Sequence, residues 1–538
     1  MTIAAQIELP SSEGHNLARK VALGLLFVTL LYRAAEFAAT GFGAIHFPWG
    51  LDYGEGIVWQ QARLIFTDRA YGAIDQFPAI VFHYTPLYHA VAWQVPATLG
   101  TDELATGRAI SLLSALVAAI ATGTIAAMPV DRRGRNAGRW LAGSVAGLLV
   151  FSFVPVINWS PLMRVDMLAI ALSLLGLVAA LRAIERPRMM LLASLLFVAA
   201  IYTKQTTIAG PAAAFAVLLV TRPKLALHGI AACTAIGLAA LIALNWLTDG
   251  GFYRHVFLYN VNRVEPSRLL WIVYAAAAHA IYVSLAAWMV ARHTGDLRAR
   301  YHTVRALRTA GSGDVKRLIA LAYFAVASVM LLMVVKSGSS INYFLEWCFA
   351  IAIFVAAGVH EPPPASAGTV KARRVLAACI PLGLALQAFI TTGHDFDLDP
   401  DGRRARELGQ LSREIAAADK PVLSEDMVLL LRSGQDVLWE PAIFAELAST
   451  GAWDERPFVQ RVRDRNFAFV IASGVRGEPR FDQGYNPAVA AAFDAAYPAK
   501  KRLARYIIYR TLPRQESAEA SAGDQASEKA SAPVALGQ

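Results

Sequence analysis

Charged residues are scarce in this 538-residue chain. Asp, Glu, Lys and Arg make up 17% of it and hydrophobic residues 56%, whereas a soluble globular protein carries about a quarter charged residues. This scarcity excludes an ordinary soluble protein. Apolar runs of about twenty residues recur from Val21 to about Ile390, and each is long enough to cross the ~30 Å hydrocarbon core of a bilayer. The chain is therefore expected to be an integral membrane protein with many spans.

Cysteine is also scarce. The three cysteines, Cys233, Cys348 and Cys379, all lie within apolar runs, so we predict packing roles and no disulfide framework. Zinc-finger spacing is absent, and so is a basic stripe with interleaved aromatic residues. The net charge of +10 therefore does not indicate a nucleic-acid partner. Most Arg and Lys residues instead lie in short loops beside the apolar runs, as the positive-inside rule expects.

Hydropathy predicts an all-α polytopic fold with about eleven transmembrane helices. The first span follows a cytosolic N-terminus of residues 1–20 and is an uncleaved anchor, because it is too long for a signal-peptide core. The stretch Tyr84–Leu99 is short and contains Pro86 and Pro96, so we predict a juxtamembrane helix that does not cross. The predicted spans are residues 21–40, 104–130, 138–157, 163–182, 189–203, 205–221, 225–247, 269–291, 317–335, 341–359 and 374–392.

The basic loops predict the orientation and the domains. With eleven spans, the Arg- and Lys-rich loops all fall on one side, which is then the cytosol. A transmembrane domain of residues 21–392, with a large first outer loop of residues 41–103, leads to an extracytoplasmic α/β domain of residues 393–513. Residues 514–538 are rich in Ala, Ser and Glu and are predicted to be a disordered tail. The alanine-rich spans and the lack of disulfides favour a bacterial inner membrane.

Short apolar runs that alternate with polar stretches predict the elements of the C-terminal domain. Segments with strand-like patterns are separated by polar helical stretches, which is typical of a small α/β unit. The predicted strands are Pro421–Glu425, Val437–Glu440, Phe467–Ala472 and Tyr506–Tyr509, and the predicted helices are Ala405–Ala418 and Pro457–Arg465.

The first outer loop carries the richest polar motif. In Asp52-Tyr53-Gly54-Glu55-Gly56 two carboxylates three residues apart share one face if the segment is helical, and the glycines permit close backbone approach. A carboxylate beside apolar surface can have its pKa raised and act as a general base. The alternative is an ordinary solvated carboxylate at a helix start.

Four later outer elements carry polar side chains that we predict to bind a substrate. Charges at the start of an apolar helix are costly and usually functional or paired, and a lysine with no local acid favours a phosphate partner. The alternatives are mutual neutralisation of Arg164 and Asp166, and snorkelling of Lys204 to the interface. The candidates are Arg164 and Asp166, Lys204 and Gln205, Asn260 and Asn262, and Asn342, Tyr343 and Glu346. Each element is weak alone, so the prediction depends on their convergence on one face.

These motifs resemble a known superfamily. The segments Asp52–Glu55, Tyr84-Thr85-Pro86-Leu87-Tyr88 and Asp102–Arg108 resemble motifs of the GT-C glycosyltransferases. The branch they are most similar to is that of the protein O-mannosyltransferases and the lipid A aminoarabinose transferases. Two features depart from the family pattern. D-x-x-E replaces an adjacent acidic pair, and Thr85 stands where the family has a first proline.

The resemblance implies a mechanism. Asp52, with Glu55 as the close alternative, would be the base of an inverting transfer from a polyprenyl-phosphate sugar donor to an acceptor hydroxyl on a glycan, lipid or protein. Lys204, with Arg164 or an arginine of the loop 254–268, would stabilise the departing phosphate. Tyr84, Gln205, Asn342, Tyr343 and Glu346 would position the substrates.

The sequence also leads to predictions about cofactors and to two alternative functions. No cofactor is required, and a divalent cation such as Mg²⁺ or Mn²⁺ between Asp52 and Asp166 is left open. A transporter or flippase for a polar or lipid-linked substrate is the main rival. Such proteins often show internal repeats and broken helices in matching halves, and no convincing repeat is present here. A non-catalytic scaffold leaves the first-loop carboxylates unexplained.

Overall fold

The structure is a computed structural model that describes residues 12–128, 136–260, 262–361, 363–364, 367–391, 393–394, 396–399 and 401–512. The predicted tail of residues 514–538 and the first eleven residues lie outside this part of the chain.

The membrane part is built from helices at every predicted span. Their order is α1 (Ser12–His46), α2 (Tyr53–Leu64), α3 (Leu87–Leu99), α4 (Glu103–Ala127), α5 (Asn136–Leu149), α6 (Val154–Trp159), α7 (Asp166–Ala183), α8 (Met189–Thr203), α9 (Ala209–Thr221), α10 (Pro223–Leu247), α11 (Gly251–Tyr253), α12 (Leu270–Ala278), α13 (Ala280–Arg300), α14 (Val304–Leu307), α15 (Ser312–Met330), α16 (Leu345–His360) and α17 (Val370–Ile390). Short 3₁₀ or π turns extend α5, α11 and α15 and precede α12 and α16.

Hydropathy and length together identify the spans. Among the described residues, seven helices are long and apolar enough to cross a membrane, and α12 with α13 forms an eighth, bent by 90°. Helices α5, α8 and α9 are apolar but shorter. The prediction of an all-α polytopic membrane protein is confirmed. Helices α7 and α16 are the most enclosed of the seven, and α1 packs against α17 and α4 at the side of the bundle.

Helix α3 is the predicted juxtamembrane helix. It has 13 residues and ends at Gly100, whose φ of 65° suits glycine. At 1.5 Å per residue it extends about 20 Å, less than the ~30 Å of a hydrocarbon core. Its length agrees with an in-plane position, which stays a prediction.

The C-terminal part contains a four-stranded sheet with the order β1-β2-β4-β3, in which β1 and β2 are parallel and the other pairs antiparallel. Three of the predicted strands and both predicted helices are confirmed. The elements are α18 (Arg403–Ala416), β1 (Leu423–Ser424), α19 (Met427–Arg432), α20 (Pro441–Ser449), α21 (Arg456–Arg463), β2 (Val470–Ala472), α22 (Pro479–Gly484), α23 (Pro487–Ala496), β3 (Ala499–Leu503) and β4 (Tyr506–Arg510).

One predicted strand is wrong, and one observed strand was not predicted. The strand predicted at Val437–Glu440 is wrong: this segment has no strand partner, and the Leu438 carbonyl accepts instead from Ala79 N of the first outer loop, at 2.8 Å. Strand β3 was missed because its sequence, AKKRL, is too charged to alternate clearly. An edge strand tolerates such charges because one of its sides faces water.

The first outer loop and the C-terminal part share one hydrophobic cluster. Ile57 and Val58 of α2 belong to it together with Met427 and Val428 of α19. An added Cβ on Gly56 would lie 2.5 Å from Val428 N, so glycine is what allows α2 and α19 to touch. The outer loop is therefore held between the membrane helices and the C-terminal sheet.

The cysteines are all free. Cys348 is buried in α16, Cys233 is half-buried and Cys379 is exposed on α17.

Candidate active site

The D-x-x-E motif forms the N-terminus of α2. Asp52 is the N-cap residue, and its Oδ1 accepts a hydrogen bond from Gly54 N at 3.0 Å. Glu55 lies at the third helical position, and its Oε2 accepts from Asp52 N at 3.4 Å. This reciprocal pair is a capping box, so the spacing fixes where α2 begins.

Glu55 is fully buried and fully bonded. Arg108 of α4 donates to both of its oxygens, at 2.8 and 2.7 Å. The backbone amides of Leu51 and Met163 donate to it at 2.8 and 2.9 Å. Burial alone would raise the pKa of Glu55, but the charge and hydrogen bonds of Arg108 bring it below the ordinary value. Every side of this carboxylate is occupied, so Glu55 anchors α2 to the membrane helices.

Asp52 pairs with Arg164, in the turn between α6 and α7. Arg164 Nη1 lies 3.2 Å from Asp52 Oδ1, and the guanidinium also stacks over Trp159 at 5.0 Å. Burial raises the pKa of Asp52 above its ordinary value, against the opposing charge of Arg164. Asp52 is thus a carboxylate with a raised pKa in direct contact with a cation.

Gly54 makes room for this pair. An added Cβ would lie only 1.2 Å from Arg164 Nη1, so any side chain would displace the guanidinium. We expect Gly54→Ala to lower activity by tenfold or more, because Arg164 moves, while α2 remains folded. Activity and thermal unfolding, measured on the same preparation, check this. Gly24→Ala on α1, where an added Cβ has no atom within 4 Å, is the control and should change neither.

Asp166 and Lys204 form a second ion pair. Lys204 donates to Asp166 Oδ1, and Asn342 Nδ2 and Trp159 Nε1 donate to the same carboxylate at 2.9 and 2.8 Å. Lys204 has no acid near it in the sequence, but the fold brings Asp166 against it. Its partner lies 38 residues earlier in the chain and across the helix bundle, where a local search cannot find it. The alternative of an Arg164–Asp166 pair is wrong, because each residue has another partner.

A polar cavity of about 420 Å³ joins the outer loops. It brings together most of the candidates that the sequence placed in separate loops: Tyr84, Arg164, Lys204, Gln205, Asn260, Asn262, Asn342 and Tyr343. Asp52 and Glu55 do not line it, although Tyr53 and Gly54 beside Asp52 do. The Asp52 carboxylate reaches the cavity through its contact with Arg164.

A smaller cavity of about 40 Å³ lies next to the first. Lys204, Asn342 and Tyr343 line both, and Asp166 and Glu346 line only the smaller one. Asn342 Oδ1 and Glu346 Oε1 have no hydrogen-bond partner there. This space is large enough for a water molecule or two.

The cavity contains further charged residues, of which the arginines belong to the predicted phosphate-binding loop 254–268 and the others were not predicted. Three further cations, Arg263, Arg268 and Lys336, join Arg164 and Lys204 in its lining. Glu440 and Glu446 of the C-terminal part line it as well. The basic loop 254–268 gave a signal for the arginines, whereas Glu440 stands alone in an apolar segment that was assigned to a strand.

No metal cluster is present in the part of the chain that the structure describes, where no three His, Cys, Asp or Glu side chains come together. Asp52 and Asp166 each bond a cationic side chain instead. The residues here therefore do not form a divalent-cation site by themselves, and the cofactor requirement stays a prediction.

Comparison with solved structures identifies the fold. ArnT from Cupriavidus metallidurans in the apo state matches with a TM-score of 0.56 and 14% identity, over 89% of this chain and 97% of that one. The same protein bound to undecaprenyl phosphate matches with a TM-score of 0.52 and 15% identity, over 93% and 98% of the two chains. The chain has the ArnT fold. The resemblance drawn from the sequence motifs is therefore confirmed at the level of the fold, which this chain shares with ArnT.

The ArnT likeness covers almost the whole chain, so the bundle, the first outer loop and the C-terminal sheet all take part in it. Neither a protein-family model nor a curated protein sequence matches the chain. At 14–15% identity the ArnT fold alone is shared, and the chemistry must be argued from the cavity itself.

Proposed function

We propose that this protein is an integral-membrane glycosyltransferase that moves a hexose or pentose from a polyprenyl-phosphate donor to an acceptor hydroxyl. The observation that carries the proposal is the Asp52–Arg164 pair beside a cavity with a cationic lining. A carboxylate with a raised pKa suits proton abstraction, and clustered cations suit a phosphate leaving group.

The donor follows from the position and charge of the cavity. Five cationic side chains line it, and its walls are the loops that join apolar helices, so a lipid phosphate at the membrane surface lies within reach. ArnT, which has this fold, has been observed with undecaprenyl phosphate bound. The charge bias of the loops predicts that this cavity faces away from the cytosol. Nucleotide sugars are not expected on that side, so a lipid-linked donor is favoured.

The reaction is an inverting displacement. The acceptor oxygen attacks the anomeric carbon, the bond from that carbon to the phosphate oxygen breaks, and the departing phosphate keeps the electron pair. Asp52 accepts the proton of the acceptor hydroxyl. Arg164 and Lys204 stabilise the negative charge that develops on the phosphate. Because Arg164 also holds Asp52, a phosphate that draws the guanidinium away leaves Asp52 a stronger base.

The acceptor is a glycan, a lipid or a protein on the extracytoplasmic face, and the membrane is the bacterial inner membrane. The roof of the cavity comes from the C-terminal part, through Glu440, Ala442, Ile443, Glu446 and Gln483. An acceptor entering from the aqueous side would meet these residues first.

The proposal is tested in cells that lack the protein. Lipid and glycan mass spectrometry should show that one polyprenyl-phosphate sugar accumulates and one glycoconjugate is lost. Wild type should reverse both changes and Asp52→Asn neither. Indistinguishable profiles under expressing conditions, or full rescue by Asp52→Asn, would contradict the proposal and direct attention to the transporter or flippase alternative.

A further inference from the structure

Glu440 is a buried carboxyl group with an unused oxygen. The residue is 5% exposed and lines the main cavity. Its Oε2 has no hydrogen-bond partner. Buried polar atoms are nearly always satisfied in native proteins, because leaving one without a partner destabilises the folded state. A group kept in this state beside a substrate-sized cavity calls for a ligand.

Glu440 lies at the start of a helix, where its side chain could bond the helix amides but does not. It is the N-cap residue of the nine-residue helix α20, but its side chain makes no capping hydrogen bond. An acidic residue at this position normally turns back to bond the first amides of its helix. Here the Ala442 amide is directed to the hydroxyl of Tyr53, at 3.4 Å. Glu440 is thereby released from its helix and faces the cavity.

Burial favours the protonated form of Glu440, whereas the charge of Arg164 nearby opposes it. Tyr53 faces it from α2 and Arg164 from the turn before α7, and on its own helix Glu446 is paired with Arg263 at 3.8 Å. Burial raises the pKa of Glu440 to about 8, with the Arg164 charge opposing the rise. At neutral pH the group therefore keeps its proton and can donate a hydrogen bond.

We propose that Glu440 positions the substrate by donating a hydrogen bond from its carboxylic acid to a hydroxyl group of an uncharged sugar ring in the cavity. The C-terminal part thus contributes directly to sugar recognition, whereas the cations of the outer loops hold the phosphate. This inference rests on the proposed glycosyltransferase function. It adds a specificity-determining residue for the ring hydroxyls.

Two variants separate hydrogen bonding from charge. Glu440→Gln keeps the size and a donor but cannot ionise, and Glu440→Met keeps the size without a donor. Purified protein is added to membranes of the deletion cells, which hold the accumulated donor and the unmodified acceptor, and product is measured by mass spectrometry between pH 6 and pH 9.5. The KM for the donor is obtained by adding graded amounts of lipid extract from the same cells.

The expected results follow from the protonation state. Wild-type activity falls as pH rises through about 8, because the ionised carboxylate no longer donates. Glu440→Gln should keep KM within about twofold at pH 7 and lose this alkaline fall. Glu440→Met should raise KM about tenfold with a smaller change in kcat, as expected for one lost hydrogen bond.

Glu425→Gln is the matched control. Glu425 is also a glutamate of the C-terminal part with a raised pKa, caused chiefly by burial; its Oε2 accepts from Ser473 N at 2.9 Å and its Oε1, like Glu440 Oε2, has no hydrogen-bond partner. It does not line the cavity, so its variant should keep the wild-type pH profile.

Other outcomes contradict the inference in distinguishable ways. A Glu440→Gln protein that is impaired at every pH would show that an ionised carboxylate is needed, as for a cationic ligand. If the activity of Glu440→Gln still falls at alkaline pH, another group is responsible for the fall and the inference is wrong. This test uses the pH profile of Glu440→Gln alone, so it holds even if Glu440→Met does not fold. Absence of product with wild-type protein would overturn the proposed function and this inference with it.

Discussion

Replacing Arg108 by Met is expected to destabilise the protein by about 3–5 kcal/mol, because it leaves the buried Glu55 carboxylate without its cation. Arg108 also donates to the carbonyl oxygens of Ala44, Phe47 and Trp49, at 2.7, 2.6 and 2.7 Å. The substitution therefore leaves three carbonyl groups and a carboxylate to find other partners. Thermal unfolding in detergent should show a much lower midpoint and a poor yield of folded protein.

Arg432→Met is the matched control for this prediction. Arg432 also pairs with an aspartate, Asp102, but both side chains are partly exposed, at 24% and 39%. An exposed pair contributes about 0–1 kcal/mol, so the unfolding midpoint should move little. Equal shifts for the two variants would show that burial does not set the strength of the Arg108–Glu55 pair.

A double variant tests whether the buried charge of Glu55 causes the loss of stability in Arg108→Met. Adding Glu55→Gln to Arg108→Met removes the buried charge, and for an isolated ion pair this would restore most of the stability. Here Glu55 also accepts from the Leu51 and Met163 amides. A single Gln oxygen would have to serve both amides, so only partial recovery is expected.

Replacing Asp52 by Asn is expected to lower kcat by about 10²–10⁴-fold, the range for loss of a general base. The protein should remain folded, because Asn serves as an N-cap as well as Asp does. Since the proton acceptor must be ionised, wild-type activity should rise as pH increases through the Asp52 pKa, which burial places above the ordinary value of 3.8. Product formation in membranes of the deletion cells, followed from pH 4 upward, gives both results.

Asp102→Asn controls for the chemistry of this substitution. Asp102 also caps a helix, accepting from Ala105 N at 2.8 Å, but it does not line the cavity. Its variant should keep the wild-type kcat. Similar losses for Asp52→Asn and Asp102→Asn would point to a general effect of helix capping, and the base would have to be sought elsewhere.

The sequence predicted the helices because the signals for a span are local. Length and apolar composition decide whether a segment can cross a bilayer. A broken helix such as α12–α13, bent by 90°, was predicted as one span of residues 269–291 because hydropathy contains no information on the bend. The outer-face candidates were found for a similar reason, since charges at apolar helix ends are conspicuous in any sequence.

Partners distant in the chain could not be predicted in the same way. The pairing of Lys204 with Asp166, and the enclosure of Glu55 by Arg108, depend on which helices pack together. Glu440 was assigned to a strand because it ends a short apolar run, Val437–Trp439. Its actual neighbours are in the first outer loop, which no local pattern indicates.

The support of α2 by the C-terminal part has a consequence for how the protein is made. Tyr53 and Ala442, which join the two parts, are 389 residues apart in the chain. At a synthesis rate of about 5–20 residues per second, the ribosome needs roughly 20–80 s between them. During that interval Asp52 is already in place, but the roof of the cavity does not yet exist. Shortened chains that end at the last membrane helix lack these cavity-lining residues, and we expect them to lack the proposed transferase activity.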